Sequence, residues 1–210
     1  MDKSFVSKVV IAGDSGCGKS SCLDRIRGDN FNPSTTSTIG IDWYCIKKEK
    51  NNIVYKFHVY DTSGQEAYAS ITTQYYRDSK ICLFVYDLNN LKSLESLKKW
   101  EEEFDNKNLE KNPLKIFVGN KSEIKSIDNS ELIEQLEKRG IKHIEVSAKE
   151  NINIKVLENM FTEDYINNHL DNKEVDEKLK VNIIFKNNTE SECYYDLNKI
   201  QPKTRSRCCS

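Results

Sequence analysis

The stretch "FVSKVVIAGDSGCGKSSCLDRIR", Phe5 to Arg27, decides the fold. Its first eight residues, Phe5 to Ala12, are rich in Val and Ile and read as a strand. Its last eight, Ser20 to Arg27, read as a helix. Between them "GDSGCGKS", Gly13 to Ser20, fits G-x-x-x-x-G-K-[ST]. Glycines let such a loop turn tightly with its amides inward, and the helix N-terminus adds positive potential, so the connection suits phosphate. In that reading Lys19 reaches the β- and γ-phosphates and the Ser20 hydroxyl binds Mg²⁺. A plain glycine-rich turn is the alternative, and the strand–turn–helix context weighs against it.

Outward from this unit, strands and helices alternate. Further strands are expected at Asp42–Lys48, Ile53–Tyr60, Ile81–Tyr86, Leu114–Val118 and His143–Val146. Helices are expected at Ser93–Phe104, Asn129–Arg139 and Asn153–Asn168. Leu94, Leu97, Trp100 and Phe104 share one face, a core stripe. Gly140 is the expected stop of the third helix. The charged turn at Asn51-Asn52 joins two adjacent strands into one antiparallel hairpin beside an otherwise parallel order. The fold class is therefore α/β, a doubly wound, mostly parallel sheet whose ligands sit at the carboxyl ends of its strands.

A chain of 210 residues suits one domain with an appendage. With 32 basic and 33 acidic residues the net charge is −1, which gives no support to a nucleic-acid partner. The seven cysteines show no CxxC pairing, and "MDKSFVSKVV" lacks the apolar core of a signal peptide, so reduced thiols in a cytoplasmic protein are expected. No run approaches the roughly 18 apolar residues of a membrane span. From Asp171 onward charges and Asn dominate, without periodicity beyond Val181–Phe185, as in a flexible tail.

Three more sites point to the same pocket. "DTSGQE", Asp61 to Glu66, ends a strand: Asp61 can hold Mg²⁺, Gly64 leaves a backbone N–H room to meet a γ-phosphate, and Gln65 can orient an attacking water. Thr38, in the loop "STIGID", can close over the metal only while a γ-phosphate is present, which makes an order–disorder switch. "NKSE" (Asn120–Glu123) and "SAK" (Ser147–Lys149) each follow a strand. Asn120 and the Ala148 amide can read a purine edge, while the Lys121 stem and Phe31 cover its two faces. Glu123 can accept from N1–H and an exocyclic amine, a pair that guanine offers and adenine does not.

Taken together, "GDSGCGKS", "TIGID", "DTSGQE", "NKSE" and "SAK" in this order resemble a small GTPase of the Ras superfamily, and within it a Rab. Thr38 lies nineteen residues and Phe31 twelve residues after Lys19, as in that family. "IGIDW" (39–43), "YYRDS" (75–79), "YDLN" (86–89) and the ending "RCCS" are Rab-like. The resemblance covers about Lys3 to His169. It implies a P-loop NTPase G domain over 3–169, with a six-stranded sheet and five helices, GTP and GDP as ligands, Mg²⁺, and slow hydrolysis helped in trans. It implies nucleotide contacts from Ser15, Gly16, Cys17, Gly18, Lys19, Ser20, Ser21, Phe31, Thr38, Gly64, Asn120, Lys121, Glu123, Ser147, Ala148 and Lys149. Ser20, Thr38 and Asp61 are the implied metal ligands, Gln65 the implied catalytic residue, and Ile41, Trp43, Tyr60 and Tyr75 the implied effector surface.

Departures from the family are Tyr60 for Trp, Ser63 for Ala, Trp43 for Phe, "EAYASI" for "ERFRSI", and Glu123 for Asp. The implied partners are an exchange factor, a GTPase-activating protein, effectors, a GDP-dissociation inhibitor and a prenylation escort protein. The paired Cys208-Cys209 (208–210) resemble a doubly prenylated ending after a hypervariable tail over 170–207. Two lipids are what stable anchoring requires, and Lys199, Lys203, Arg205 and Arg207 add attraction to an anionic leaflet. The expected location is the cytosolic face of an intracellular membrane. Glu123, one methylene longer than Asp, motivates one alternative: a pseudo-GTPase scaffold with weak or altered nucleotide selectivity. A P-loop kinase or ATPase is another.

Overall fold

The computed structural model describes residues 3–33, 41–62 and 74–171. Six strands form one sheet: β1 (Lys3–Ala12), β2 (Ile41–Lys50), β3 (Ile53–Thr62), β4 (Ile81–Asp87), β5 (Leu114–Asn120) and β6 (Lys142–Glu145). Their order is β2-β3-β1-β4-β5-β6. Every neighbouring pair is parallel except β2 with β3, the edge hairpin. Asn51 and Asn52 both take positive φ (53° and 59°), which is the turn chemistry a two-residue hairpin needs.

The described helices are α1 (Lys19–Arg27), α2 (Leu91–Glu95), α3 (Leu97–Lys107), α4 (Ser130–Lys138) and α5 (Ile154–Asp171), with a 3₁₀ turn at Ser122–Ile124. One sheet face packs on α1 and α5 through Cys22, Leu23, Ile26, Leu157, Phe161 and Tyr165. The other face receives Leu97, Trp100 and Phe104 of α3 and Leu136 of α4. Burying each of these larger apolar side chains contributes about 2 kcal/mol. β4 lies at the centre and is buried along its whole length.

The single helix expected over Ser93–Phe104 is two helices that break at Ser96. Ser96 Oγ bonds back to the Lys92 carbonyl at 2.9 Å, and Ser93 Oγ bonds to the Asn90 carbonyl at 2.7 Å. Such short hydroxyl side chains compete for helix carbonyls and bend or interrupt the ladder. The apolar stripe survives the break, with Leu97, Trp100 and Phe104 buried. At Gly140 (φ +65°), N–H groups of Gly140 and Ile141 close on Glu137 and Leu136 carbonyls, so the helix stops where glycine permits. α5 runs two residues beyond His169, to Asp171.

Candidate nucleotide site

The loop after β1 is shaped by its contact with the neighbouring strand. A Cβ on Gly13 (φ +142°) would stand 2.0 Å from the Val85 carbonyl oxygen. Gly18, at φ +87°, caps α1 without a side-chain hydrogen bond, which leaves the first turn open to an incoming anion. Lys19 is buried and its Nζ donates to the carbonyls of Gly13 and Asp14, each at 2.8 Å. Ser20 Oγ donates to the Asp61 carboxylate, which β3 carries into the same place, one strand away from β1. Cys17 is buried in the loop, and burial pushes its thiol up to about 11, so it is an inert packing group rather than a nucleophile.

A second cluster forms at the ends of β5 and β6. Asn120, 2% exposed, spans it: Nδ2 donates to the Cys17 carbonyl at 3.0 Å, and Oδ1 accepts from Ala148 N–H at 3.1 Å. Expected as an edge reader, this amide also braces the phosphate loop against the Ala148 loop. Lys121, at φ +65°, lays its stem toward the phosphate loop, where Nζ reaches the Gly16 carbonyl (2.9 Å) and the Asp87 carboxylate (2.6 Å). Among the described residues Glu123 makes no ion pair, and its Oε2 is buried with no hydrogen-bond partner. Ser147 is buried, its Oγ accepting from Glu150 N–H, whereas Lys149 is exposed and Phe31 half-buried. A buried acceptor without a partner calls for a donor.

The glycine-rich loop, the Ser20–Asp61 pair of hard oxygen donors and the Asn120–Lys121–Ala148 cluster thus lie at the same end of the sheet, with Asn120 and Lys121 bonded to the carbonyls of Cys17 and Gly16. Residues 8–167 match the model of the Ras family. Over 190 residues, 34% of positions are identical to the Ras-related protein Rab-1D of Dictyostelium discoideum, covering 89% of this chain and 93% of that relative. The chain is a Rab-family GTPase of the Ras superfamily. It is therefore an enzyme that hydrolyses GTP, and Ras-like GTPases bind GTP or GDP with Mg²⁺.

On the outer face of this GTPase, Trp43 sits opposite Tyr60 in the β2–β3 ladder. Tyr60 and Tyr75 bring their rings to 5.6 Å, but Trp43 tilts toward His58 at 5.4 Å, so the three aromatics form a pair and a neighbour rather than one stack. Lys8 supports the pair, with Nζ 5.6 and 5.8 Å from the two rings and donating to the carbonyls of Gln74 and Arg77. Burial lowers its pKa. Ile41 begins β2. Thr38, Gly64, Gln65, Cys208 and Cys209 lie outside the described residues. No described helix is long and apolar enough to cross a membrane.

Sequence reasoning missed several supports of the site. Trp100, read only as core, donates from Nε1 to Asp14 Oδ1 at 2.7 Å. Asp87, the partner of Lys121, was visible only as part of "YDLN". The one signal for Trp100 was its indole N–H, which needs a partner wherever the ring is buried.

Proposed function

We propose that this GTPase is a membrane-attached switch in vesicle traffic, holding GTP or GDP with Mg²⁺ and engaging effectors in the GTP state. One observation carries the reading. Lys19, Ser20 and Asp61 lie at one end of the sheet, and Lys121 and Asn120, neighbours of a Glu123 whose Oε2 is buried without a hydrogen-bond partner among the described residues, bond to the Gly16 and Cys17 carbonyls of the same glycine-rich loop.

In this reading the amides from Gly16 to Ser21 cradle the phosphates, and Lys19 leaves its carbonyls for the β- and γ-phosphates. The Ser20 hydroxyl and Asp61 carboxylate are hard oxygen donors in contact, a set that suits Mg²⁺; with Thr38 they would hold it. Bound there, the ion neutralises charge developing on the phosphates. Gly64 donates its N–H to the γ-phosphate and Gln65 orients the attacking water. Thr38 releases when that phosphate is lost, which resets the effector surface of Ile41, Trp43, Tyr60 and Tyr75. At the base, Asn120 and Ala148 take the edge, Lys121 and Phe31 the faces, Glu123 the N1–H and amino donors, and Ser147 and Lys149 frame the loop. The domain over 3–169 hands on to a tail over 170–207 and prenylated Cys208 and Cys209. Exchange factor, activating protein, GDP-dissociation inhibitor and escort protein complete the cycle.

Competition among GDP, GTP, ATP and XTP for the purified chain with Mg²⁺ tests the site. Guanine nucleotides alone should bind tightly; equal competition by ATP or XTP would overturn the base-site assignment.

A further inference from the structure

Arg25 spreads its guanidinium over three backbone carbonyls from two separate loops. Nε donates to Ala148 O at 2.8 Å, Nη2 to Lys149 O at 3.0 Å, and Nη1 to Asp29 O at 3.3 Å. Ala148 and Lys149 belong to the loop after β6. Asp29 lies just past the stop of α1, where Gly28 takes φ +95° and Asp29 N–H closes on the Asp24 carbonyl. From there the chain runs two residues on to Phe31. The same side chain thus ties the loop of Ala148, which meets the edge of the base in the reading above, to the segment carrying Phe31, which covers one of its faces.

Ala148 is gripped from both sides, since its N–H is taken by Asn120 and its carbonyl by Arg25. A planar guanidinium suits this task, because its donors are fixed in a fork and no rotation of one breaks the others. A lysine in its place gathers its three donors on a single nitrogen and lacks the fork that spreads over both loops.

We propose that Arg25 is a positioning residue that sets nucleotide residence time by clamping the edge-reading Ala148 loop to the segment that carries Phe31. The inference rests on the guanine-site reading above. Arg25 acts on the base through Ala148 and Phe31 and touches no reacting atom.

The test uses full-length wild type, Arg25→Ala, Arg25→Lys and, as a control, Arg139→Ala. Arg139 makes a comparable two-pronged bond to Glu101 on α3, away from the site. Release of a fluorescent GDP is measured by chase, and preference for GDP over ADP by competition. Arg25→Ala should release GDP at least tenfold faster and lose GDP preference, with Arg25→Lys between it and wild type. Arg139→Ala should release GDP at the wild-type rate. Wild-type release and preference in Arg25→Ala would overturn the inference, as would equal acceleration in Arg139→Ala, which marks a global loosening. Should Arg25→Ala fail to fold, Arg25→Lys decides: release within twofold of wild type overturns the clamp. A wild-type protein with no preference for GDP over ADP would instead remove the base-site reading itself.

Discussion

The phosphate end and the base end of the pocket are built in different ways. At the phosphate end, Gly13 to Ser20 are one consecutive run from the end of β1 into the first turn of α1, and among the described residues Asp61 joins them from β3. At the base end, Asn120, Lys121, Glu123 and Ala148 come from two loops that cross-bonds from Asn120, Arg25 and Lys121 hold in place. One end is shaped by backbone conformation, the other by side chains that bridge. The first depends on glycines at positive φ, Gly13, Gly16 and Gly18. The second carries Glu123, whose Oε2 has no hydrogen-bond partner among the described residues.

The two ends touch at Gly18. A Cβ there would stand 2.3 Å from Asn120 Nδ2, on a backbone at φ +87°. Asn120 cannot swing aside without giving up its bonds to Cys17 and Ala148. Strain in the left-handed region and the lost hydrogen bonds together cost about 3 kcal/mol, lowering Tm by roughly 6–12 °C. Gly18→Ala should therefore destabilise the fold in calorimetry and, at the same time, abolish guanine selectivity in competition binding. Retained selectivity in a destabilised variant would show that the two ends are independent.

A smaller effect is expected at Glu123. Shortening it by one methylene restores the carboxylate position typical of the family without disturbing the phosphate end. Glu123→Asp should tighten GDP binding about tenfold, or about 1.4 kcal/mol, while leaving thermal stability unchanged. Titration calorimetry with GDP reads this directly; an unchanged Kd would mean that the longer side chain already does the work.

The smallest effect lies behind both ends, where β2 is strapped to α5. Burial alone would raise the Glu158 carboxyl, but hydrogen bonds from Lys155 and Lys48 and their charges outweigh it and hold it below its ordinary value. A carboxyl lowered on folding contributes stability above its unfolded pKa, and that contribution fades as pH falls through the folded value. Glu158→Gln should thus narrow the loss of stability between about pH 5 and pH 3 in denaturant titrations, with GDP affinity at neutral pH untouched. A parallel acid profile in variant and wild type would remove the strap from the account.

Much of this was written in consecutive residues. The strand, loop and helix from Phe5 to Arg27 specify themselves, because apolar alternation, glycine spacing and a helix start act locally. The hairpin at Asn51-Asn52 and the stop at Gly140 are legible for the same reason. The break at Ser96 was not, since it depends on which carbonyl a hydroxyl finds once the helix has docked. Arg25 looked like any polar position of a short helix, and Trp100 like any core aromatic.

Sequence alone determined the order of the elements and the phosphate loop, because those follow from interactions among near neighbours. Only tertiary structure decided how the base loops are held, because Arg25 and Ala148 are 123 residues apart and Asn120 and Cys17 are 103 apart. A hydrogen bond over such a distance has no local pattern, and exists only when packing of α1 and α5 on the sheet has brought its two ends together.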